Sequence, residues 1–284
     1  MTSPLTADES APLVRRLRAA GCVFAEEEAA LILEQAALVE PEGRAAEADR
    51  LASARESGLP LEQVLGWAEL GGVRVALEPG VFVPRRRTEL MVATAVSFAS
   101  ALPADHGPVV LLDLCCGSGA VAAAVAHALR ASGTAVDVTA ADVDPVAVRC
   151  ARGNLPGARV LQSDLVDALP DDLRGRVDVL TANVPYVPTA ALALMPREAR
   201  EHEPQVALDG GADGLEVLRR VAAAAPTWLA PGGSLLVETS ERQQPAALAA
   251  MEDAGLAGTV RTDDDLGAVV VLGTRATRPV RPRR

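Results

Sequence analysis

The chain has 284 residues, 49% hydrophobic and 23% charged, which suits one large domain or a large one with a small companion and rules out global disorder. All 27 basic residues are arginine, so Schiff-base catalysis by lysine and a P-loop lysine for a triphosphate are excluded. A net charge of −11 runs against extended nucleic acid as the main partner, because such proteins carry a basic stripe, and here the concentrated basic runs are only Arg85–Arg87 and the tail Arg278–Arg284.

Residues 11–58 read as helices. Ala25–Leu38 places glutamates first and an apolar stripe after them, which suits the helix dipole and an amphipathic face. Arg44–Glu56 reads as a more polar helix after a turn at Pro41–Gly43. Val64–Leu70 and Val73–Leu77 flank Gly71-Gly72 and predict a hairpin. From Val109 strands alternate with helices: strands Val109–Leu112, Ala135–Ala141, Val160–Gln162, Val177–Ala182, Ser234–Glu238 and Gly267–Leu272, and helices Gly119–Ala131, Pro145–Asn154, Gly214–Ala224 and Gln243–Ala254. This alternation predicts an α/β domain with a parallel sheet covered on both faces. The expected units are therefore a helical part at 1–60, a bridging β-hairpin at 61–88, the α/β domain at 89–276 and a basic, disordered tail at 277–284. Val187–Asp213 has little pattern, and an unpatterned stretch of that length in a compact domain is functional or disordered.

Cys22, Cys115, Cys116 and Cys150 show no C-x-x-C spacing and no neighbouring histidine pair, so no metal site is expected. With no disulfide framework, a reducing, cytoplasmic setting fits. The N-terminus lacks a basic and apolar leader, and the weakly polar run Leu90–Leu102 is too short to span a bilayer, so no membrane partner is expected.

Four strands deliver polar residues to their carboxyl ends, the edge where open α/β sheets bind ligands. The first ends in DLCCGSGA, Asp113–Ala120, where Gly117 and Gly119 allow close backbone approach and the following helix offers its N–H groups. This turn alone fits a dinucleotide, or no ligand at all. Asp113 tilts it toward a cationic ligand. Asp142 ends the second strand and suits a ribose diol, in a nicotinamide dinucleotide or in S-adenosylmethionine, while Asp144 before Pro145 reads as an N-cap. Asp164, in QSDL, suits an exocyclic amine or is a plain loop residue. Asn183 opens Asn183-Val184-Pro185-Tyr186, with the chain's one tyrosine, and reads as a strand exit or as a site for a planar amide or amine.

In this order the motifs resemble a family, the protein glutamine N5-methyltransferases, which are class I S-adenosylmethionine-dependent enzymes. VFVPRRRTELMV (81–92) is similar to that family's F-I-P-R-P-D-T-E segment, EPQVALDGGADGLEVLRR (203–220) to its E-P-x-x-A-L-x-G-G-x-D-G-L segment, and LAPGGSLLVETSERQ (229–243) to the strand-and-Gln stretch near its end. Asn-Val-Pro-Tyr stands for its Asn-Pro-Pro-Tyr, Arg87 for an aspartate, and Cys115-Cys116 for small residues. The resemblance implies a Rossmann-like seven-stranded fold with a substrate-docking helical part. It implies S-adenosylmethionine held by Asp113, Cys115, Cys116, Gly117, Ser118, Gly119, Asp142, Val143, Asp164, Leu165 and Asn183. The catalytic set would be Asn183, Val184, Pro185 and Tyr186, with Arg85 and Glu203 toward the acceptor. The implied partner is a protein, a translation release factor methylated in its Gly-Gly-Gln loop. Four other readings stay open: a glutamine methyltransferase with a different protein substrate, an adenine-N6 methyltransferase acting on a flipped base, a binder without catalysis, and a nicotinamide oxidoreductase, for which no positioned histidine is evident.

Overall fold

The computed structural model describes residues 7–103 and 105–277; the predicted tail, Arg278–Arg284, lies outside them. Helices α1 (Ala7–Ala19), α2 (Ala25–Ala36) and α3 (Arg44–Glu56) enclose a small apolar centre that includes Leu13, Leu17, Ile32 and Leu51. Helix α2 buries Ala25, Ala29, Ile32 and Ala36, the single stripe expected of a 3.6-residue repeat. Glu28 is buried on the same face, and Arg55 of α3 donates to both its oxygens at 2.7 and 3.2 Å. One of the glutamates assigned to the helix dipole is therefore also a clamp between helices.

A short helix, α4 (Leu61–Leu65), precedes the hairpin β1 (Trp67–Leu70) and β2 (Val73–Ala76). The first strand thus starts later than expected, because Val64 and Leu65 finish the helix. Gly71 and Gly72 have φ of 56° and 76°, the paired left-handed conformation that a two-residue hairpin turn demands. Trp67 donates its indole N–H to Gln35 at 3.0 Å and fastens the hairpin to α2.

Helix α5 (Glu89–Ser100) leads into the main sheet. Its strands are β3 (Val109–Leu114), β4 (Val136–Asp142), β5 (Arg159–Gln162), β6 (Val177–Ala182), β7 (Leu229–Thr239), β8 (Ala257–Asp263) and β9 (Ala268–Thr274). Their order is β5-β4-β3-β6-β7-β9-β8. The first five are parallel, but β9 runs antiparallel to both β7 and β8. The sheet is therefore mixed, which corrects the all-parallel expectation. Strand β8 carries no apolar run, since it is an edge strand with much of its surface in water, and so gives no periodic signal.

Alternation along β3 and β6 divides the core. Leu111 and Val179 join one apolar layer, Leu112 and Leu180 the other. Helices α6 (Ala120–Ala131), α7 (Pro145–Asn154), α9 (Glu216–Trp228) and α10 (Gln244–Asp253) cover the sheet. Buried Asp178 is satisfied by the Val110 N–H at 2.8 Å and by His106 at 3.1 Å. After β3 the chain builds outward through β4 and β5. It then returns to the other side of β3 with β6. That reversal opens a crevice at the carboxyl ends of β3 and β6.

The segment expected to lack regular structure, 187–213, holds a short helix, α8 (Arg197–His202), and two 3-10 turns. It is tied back to the β6 exit: the Val187 N–H donates to Leu208 at 3.0 Å and the Gly210 N–H to Val187 at 2.8 Å. Its irregular backbone is thus pinned over the crevice.

Candidate active site

A cleft of about 790 Å³ lies in this crevice, with Asp113, Cys115, Cys116, Gly117, Ser118, Asp142, Val143 and Asn183 among its walls. Asp113 sits next to Thr181 across the β3–β6 pair, and the Thr181 hydroxyl donates to its Oδ1 at 2.7 Å. Its Oδ2 is buried with no partner, as is the Ser118 hydroxyl. Burial pushes the Asp113 carboxyl up to about 7, against the lowering effect of the Thr181 hydrogen bond. A cation beside it would restore the charged form.

Asp142 braces the turn that faces it. Its Oδ2 accepts from the Gly117 N–H at 2.8 Å and its Oδ1 from the Asp144 N–H at 3.0 Å. Burial raises its pKa, and the Asp144 and Gly117 N–H groups pull it back. Each oxygen retains a lone pair for a ligand hydroxyl. Asp144 caps α7 by accepting from the Val146 N–H at 2.8 Å, with Pro145 at the first helical position. The two aspartates therefore divide the work, one facing the cleft and one starting the helix.

Gly119 has φ of 79°, and a Cβ there would stand 2.9 Å from Leu155 Cδ1. This glycine serves the packing of the turn on α7 and does not line the cleft. Burial raises the Cys115 and Cys116 thiols far above the usual thiol range, so both stay neutral and contribute as small soft walls.

Beyond Asn183 a second pocket of about 370 Å³ opens, lined by Arg85, Arg87, Val184, Tyr186 and Met195. It shares Phe82, Asn183, Pro185 and Ala207 with the first. The Asn183 side-chain N–H donates to the Thr88 hydroxyl at 3.5 Å. No donor among the described residues reaches the Asn183 side-chain oxygen or the Val184 carbonyl. Tyr186 is fixed from three sides. Its hydroxyl donates to Glu238 at 3.0 Å, its carbonyl accepts from Gln243 at 2.9 Å, and the Arg87 guanidinium lies 5.7 Å from its ring centre. Arg87 also donates to the same Glu238 oxygen at 3.1 Å. Burial and the Glu238 charge push the Tyr186 hydroxyl upward, which keeps it a donor.

Several residues singled out in the sequence stand elsewhere. Asp164 is half-exposed and accepts from Arg220 at 2.9 Å, and Leu165 is packed in the apolar layer with φ of 48°; neither lines the cleft. Glu203 is behind the second pocket, paired with Arg85 at 2.5 Å, with its other oxygen buried and without a partner. Burial raises its pKa and Arg85 opposes that rise. Glu238, Thr181 and Thr88 are neighbours of the site that the sequence does not single out, whereas Gln243 ends the 229–243 stretch already matched to the family. Glu238 obeys the rule used for the other strands, a polar residue at the carboxyl end of β7, so a fifth such position was there to be read.

A seven-stranded sheet with a ligand crevice at its reversal, a glycine-rich turn and carboxylates in place of phosphate-binding cations defines a class I S-adenosylmethionine-dependent methyltransferase. A family model described as a methyltransferase domain matches residues 111–202. The solved structure of a methyltransferase from Pyrococcus furiosus is similar in fold, with TM-score 0.51 over 84% of this chain and 100% of that one at 16% identity. Among relatives, the release factor glutamine methyltransferase of Bordetella pertussis is 36% identical over 256 residues, 89% of this chain and 90% of that protein. The one from Mycolicibacterium smegmatis is 40% identical over 204 residues, 70% of this chain and 68% of that protein. The chain belongs to the release factor glutamine methyltransferase family.

Proposed function

We propose that this protein transfers a methyl group from S-adenosylmethionine to the side-chain amide nitrogen of a glutamine in a peptide chain release factor, in its Gly-Gly-Gln loop. The observation that carries this reading is the common wall of the two pockets: a cofactor cleft and a smaller chamber meet at Asn183 and Pro185.

The cleft residues fit S-adenosylmethionine, which supplies an activated methyl on a cationic sulfur. Asp113 and Ser118 would take the charged amino-acid end with their unpartnered oxygens, and Asp142 the ribose diol. The acceptor needs more help. An amide nitrogen shares its lone pair with the carbonyl, with a rotation barrier of about 18–20 kcal/mol in peptides. To take a methyl it must pyramidalise and become positive. The Asn183 side-chain oxygen and the Val184 carbonyl, both without donors of their own, would accept its two hydrogens and stabilise that charge. Pro185 stiffens the corner that aims them. Tyr186 would stack on the flat amide. S-adenosylmethionine held in the cleft would supply the methyl and keep the C–S electron pair on sulfur, while Asn183 and Val184 would hold the amide nitrogen as its lone pair becomes the new N–C bond and one of its hydrogens leaves as a proton. No side-chain nucleophile is required, and the rate arises from orientation and electrostatics.

Val for Pro at 184 leaves the needed carbonyl in place. We assign the helical part, α1–α3, to docking of the protein substrate, because the hairpin after it leads directly into the acceptor-side segment 81–88. We also place the protein in the cytoplasm, where its substrate works; its four free cysteines suit that setting, and among the described residues no helix is long and apolar enough to cross a membrane.

The test is incubation with S-adenosylmethionine and unmethylated release factor, followed by peptide mass spectrometry. One methyl on the Gly-Gly-Gln glutamine is expected. Asn183→Ala should lower the rate by about 10²–10³-fold, the usual cost of one such electrostatic contact, while cofactor binding persists. Methylation at full rate in the variant would refute the assignment of Asn183.

A further inference from the structure

Asn154 is the last residue of α7, and besides a 3.7 Å bond to Cys150 Sγ within the helix its side chain makes three hydrogen bonds outside it. Oδ1 accepts from the Ala76 N–H at 2.8 Å; Nδ2 donates to the Ala76 carbonyl at 2.8 Å and to the Ser118 carbonyl at 2.9 Å. The paired bonds to Ala76 reproduce what a neighbouring strand would offer the end of β2. They also fix the amide's orientation, because only its oxygen can accept and only its nitrogen can donate. The third bond reaches the glycine-rich turn. One side chain therefore joins the hairpin to a wall of the cofactor cleft. The next residue, Leu155, packs beneath Gly119 of that same turn.

The stretch after Ala76 gives the tie its importance. The chain runs on through Phe82, which lines both pockets, to Arg85 and Arg87 on the acceptor side and Thr88 on the cofactor side. Asn154 thus anchors, just upstream at Ala76, the segment that lines both pockets. Helix α7 meets this stretch at other points too: Arg149 pairs with Glu78 at 2.6 Å in solvent, the Cys150 thiol donates to the Ala76 carbonyl at 3.3 Å, and Cys150 and Val146 pack with Leu77, Val81 and Val83, but none of these contacts is to the glycine-rich turn.

We propose that Asn154 is a positioning residue, a latch that sets the 81–88 segment in register with the cofactor-binding turn. The proposal rests on the cofactor reading of the cleft. It predicts that cofactor affinity and the order of 81–88 are coupled through one amide.

The experiment is calorimetric titration of S-adenosylmethionine into the full-length protein and three variants, with amide hydrogen exchange of 81–88 recorded with and without cofactor. Asn154→Ala should bind cofactor about tenfold more weakly, as expected for losing hydrogen bonds that hold a ligand loop. Cofactor should protect 81–88 in the wild type and fail to do so in the variant. Asn154→Asp, nearly the same shape, keeps acceptance from Ala76 but sets an acceptor against two carbonyls, and should behave like Asn154→Ala even if the alanine variant folds poorly. Arg149→Ala loosens the same two elements without touching the turn and should stay within about twofold, as exposed ion pairs do. Equal losses in the Arg149 and Asn154 variants would reduce Asn154 to a structural tether and overturn the proposal. So would unchanged affinity and protection in both Asn154 variants. No binding to the wild type would overturn the cofactor reading and the latch with it.

Discussion

The two pockets that meet at Asn183 are built in different ways. The polar wall of the cofactor cleft is local: a turn of a few residues after β3, an aspartate at the end of β4, and hydrogen bonds between backbone N–H groups and that aspartate, with more distant segments such as 81–88 and 204–207 closing over it. The acceptor pocket is assembled from afar. Arg85 meets Glu203 across 118 residues of chain, and Arg87 meets Glu238 across 151. The first is fixed by secondary structure, the second by ion pairs between segments that share no element. On the proposed function, a cofactor common to many enzymes would be held by the part that backbone geometry enforces, and the acceptor by the part that side chains can vary. Arg87 itself shows this freedom, since the resemblance places an aspartate there.

The sharpest test of the cofactor side is Asp113. Its unpartnered oxygen awaits a positive group, so Asp113→Asn, which can still accept from Thr181, should weaken S-adenosylmethionine by about tenfold to a hundredfold, the worth of a charge-assisted hydrogen bond. The sign of the pH effect comes from its pKa of about 7. A bound cation lowers that pKa, so binding releases a proton below pH 7. Affinity should rise with pH by up to about tenfold per unit and level off above 7. In Asp113→Asn this slope should vanish. Stability without cofactor moves the other way. A carboxyl whose folded pKa is raised favours the fold below its unfolded value of 3.8, and that contribution is lost as pH rises through about 7. At pH 8 the variant should therefore melt higher than the wild type without cofactor while binding cofactor worse. A pH-independent affinity in the wild type would break the distinction, because Asp113 would then not face the charge.

The acceptor side should respond with the opposite signature. Glu238 holds the Tyr186 hydroxyl and Arg87 on one oxygen. Glu238→Gln retains an acceptor but loses the charge that attracts Arg87. We expect kcat/KM for the protein acceptor to fall about tenfold, the range of a lost hydrogen bond to a charged group, with cofactor affinity unchanged. Initial rates at varied acceptor and a parallel cofactor titration check this. A loss of cofactor affinity would mean that the two pockets are not separable at Asn183.

The same contrast explains what could be read in the sequence. Strand tips, the glycine-rich turn and the Asp144 cap leave short-range marks: an apolar run, a left-handed glycine, an aspartate before proline. They stand where those marks place them. Helix α5 leaves a weaker mark, since Met91, Val92, Ala95 and Ala99 sit in a stretch so apolar that its helical stripe has little contrast. Strand β8 has no apolar run at all. Glu238 was legible as a strand tip, but its partners were not. No local pattern tells a glutamate at the end of β7 that an arginine after the hairpin will reach it. Side-chain pairs across the fold are set by tertiary packing, and charge alone does not choose among 27 arginines.

Asp164 is where the two modes of construction compete, and it provides the smallest expected effect. As a polar tip after β5 it belongs with Asp113 and Asp142, and by position it would take an amine. In the structure its carboxylate is engaged by Arg220 of α9, both groups about half-exposed, and it does not line the cleft. An exposed pair of this kind is worth about 0–1 kcal/mol, so Asp164→Asn should shift the melting temperature little and change cofactor affinity by less than about threefold. Arg220→Ala separates the possibilities further. If Asp164 serves only the ion pair, both variants behave alike and both are mild. If cofactor binding recruits Asp164 from Arg220, Arg220→Ala should tighten binding while Asp164→Asn weakens it toward the level of Asp113→Asn. That divergence would move Asp164 from the variable, ion-paired part of the molecule into the part that backbone geometry presents to the cofactor.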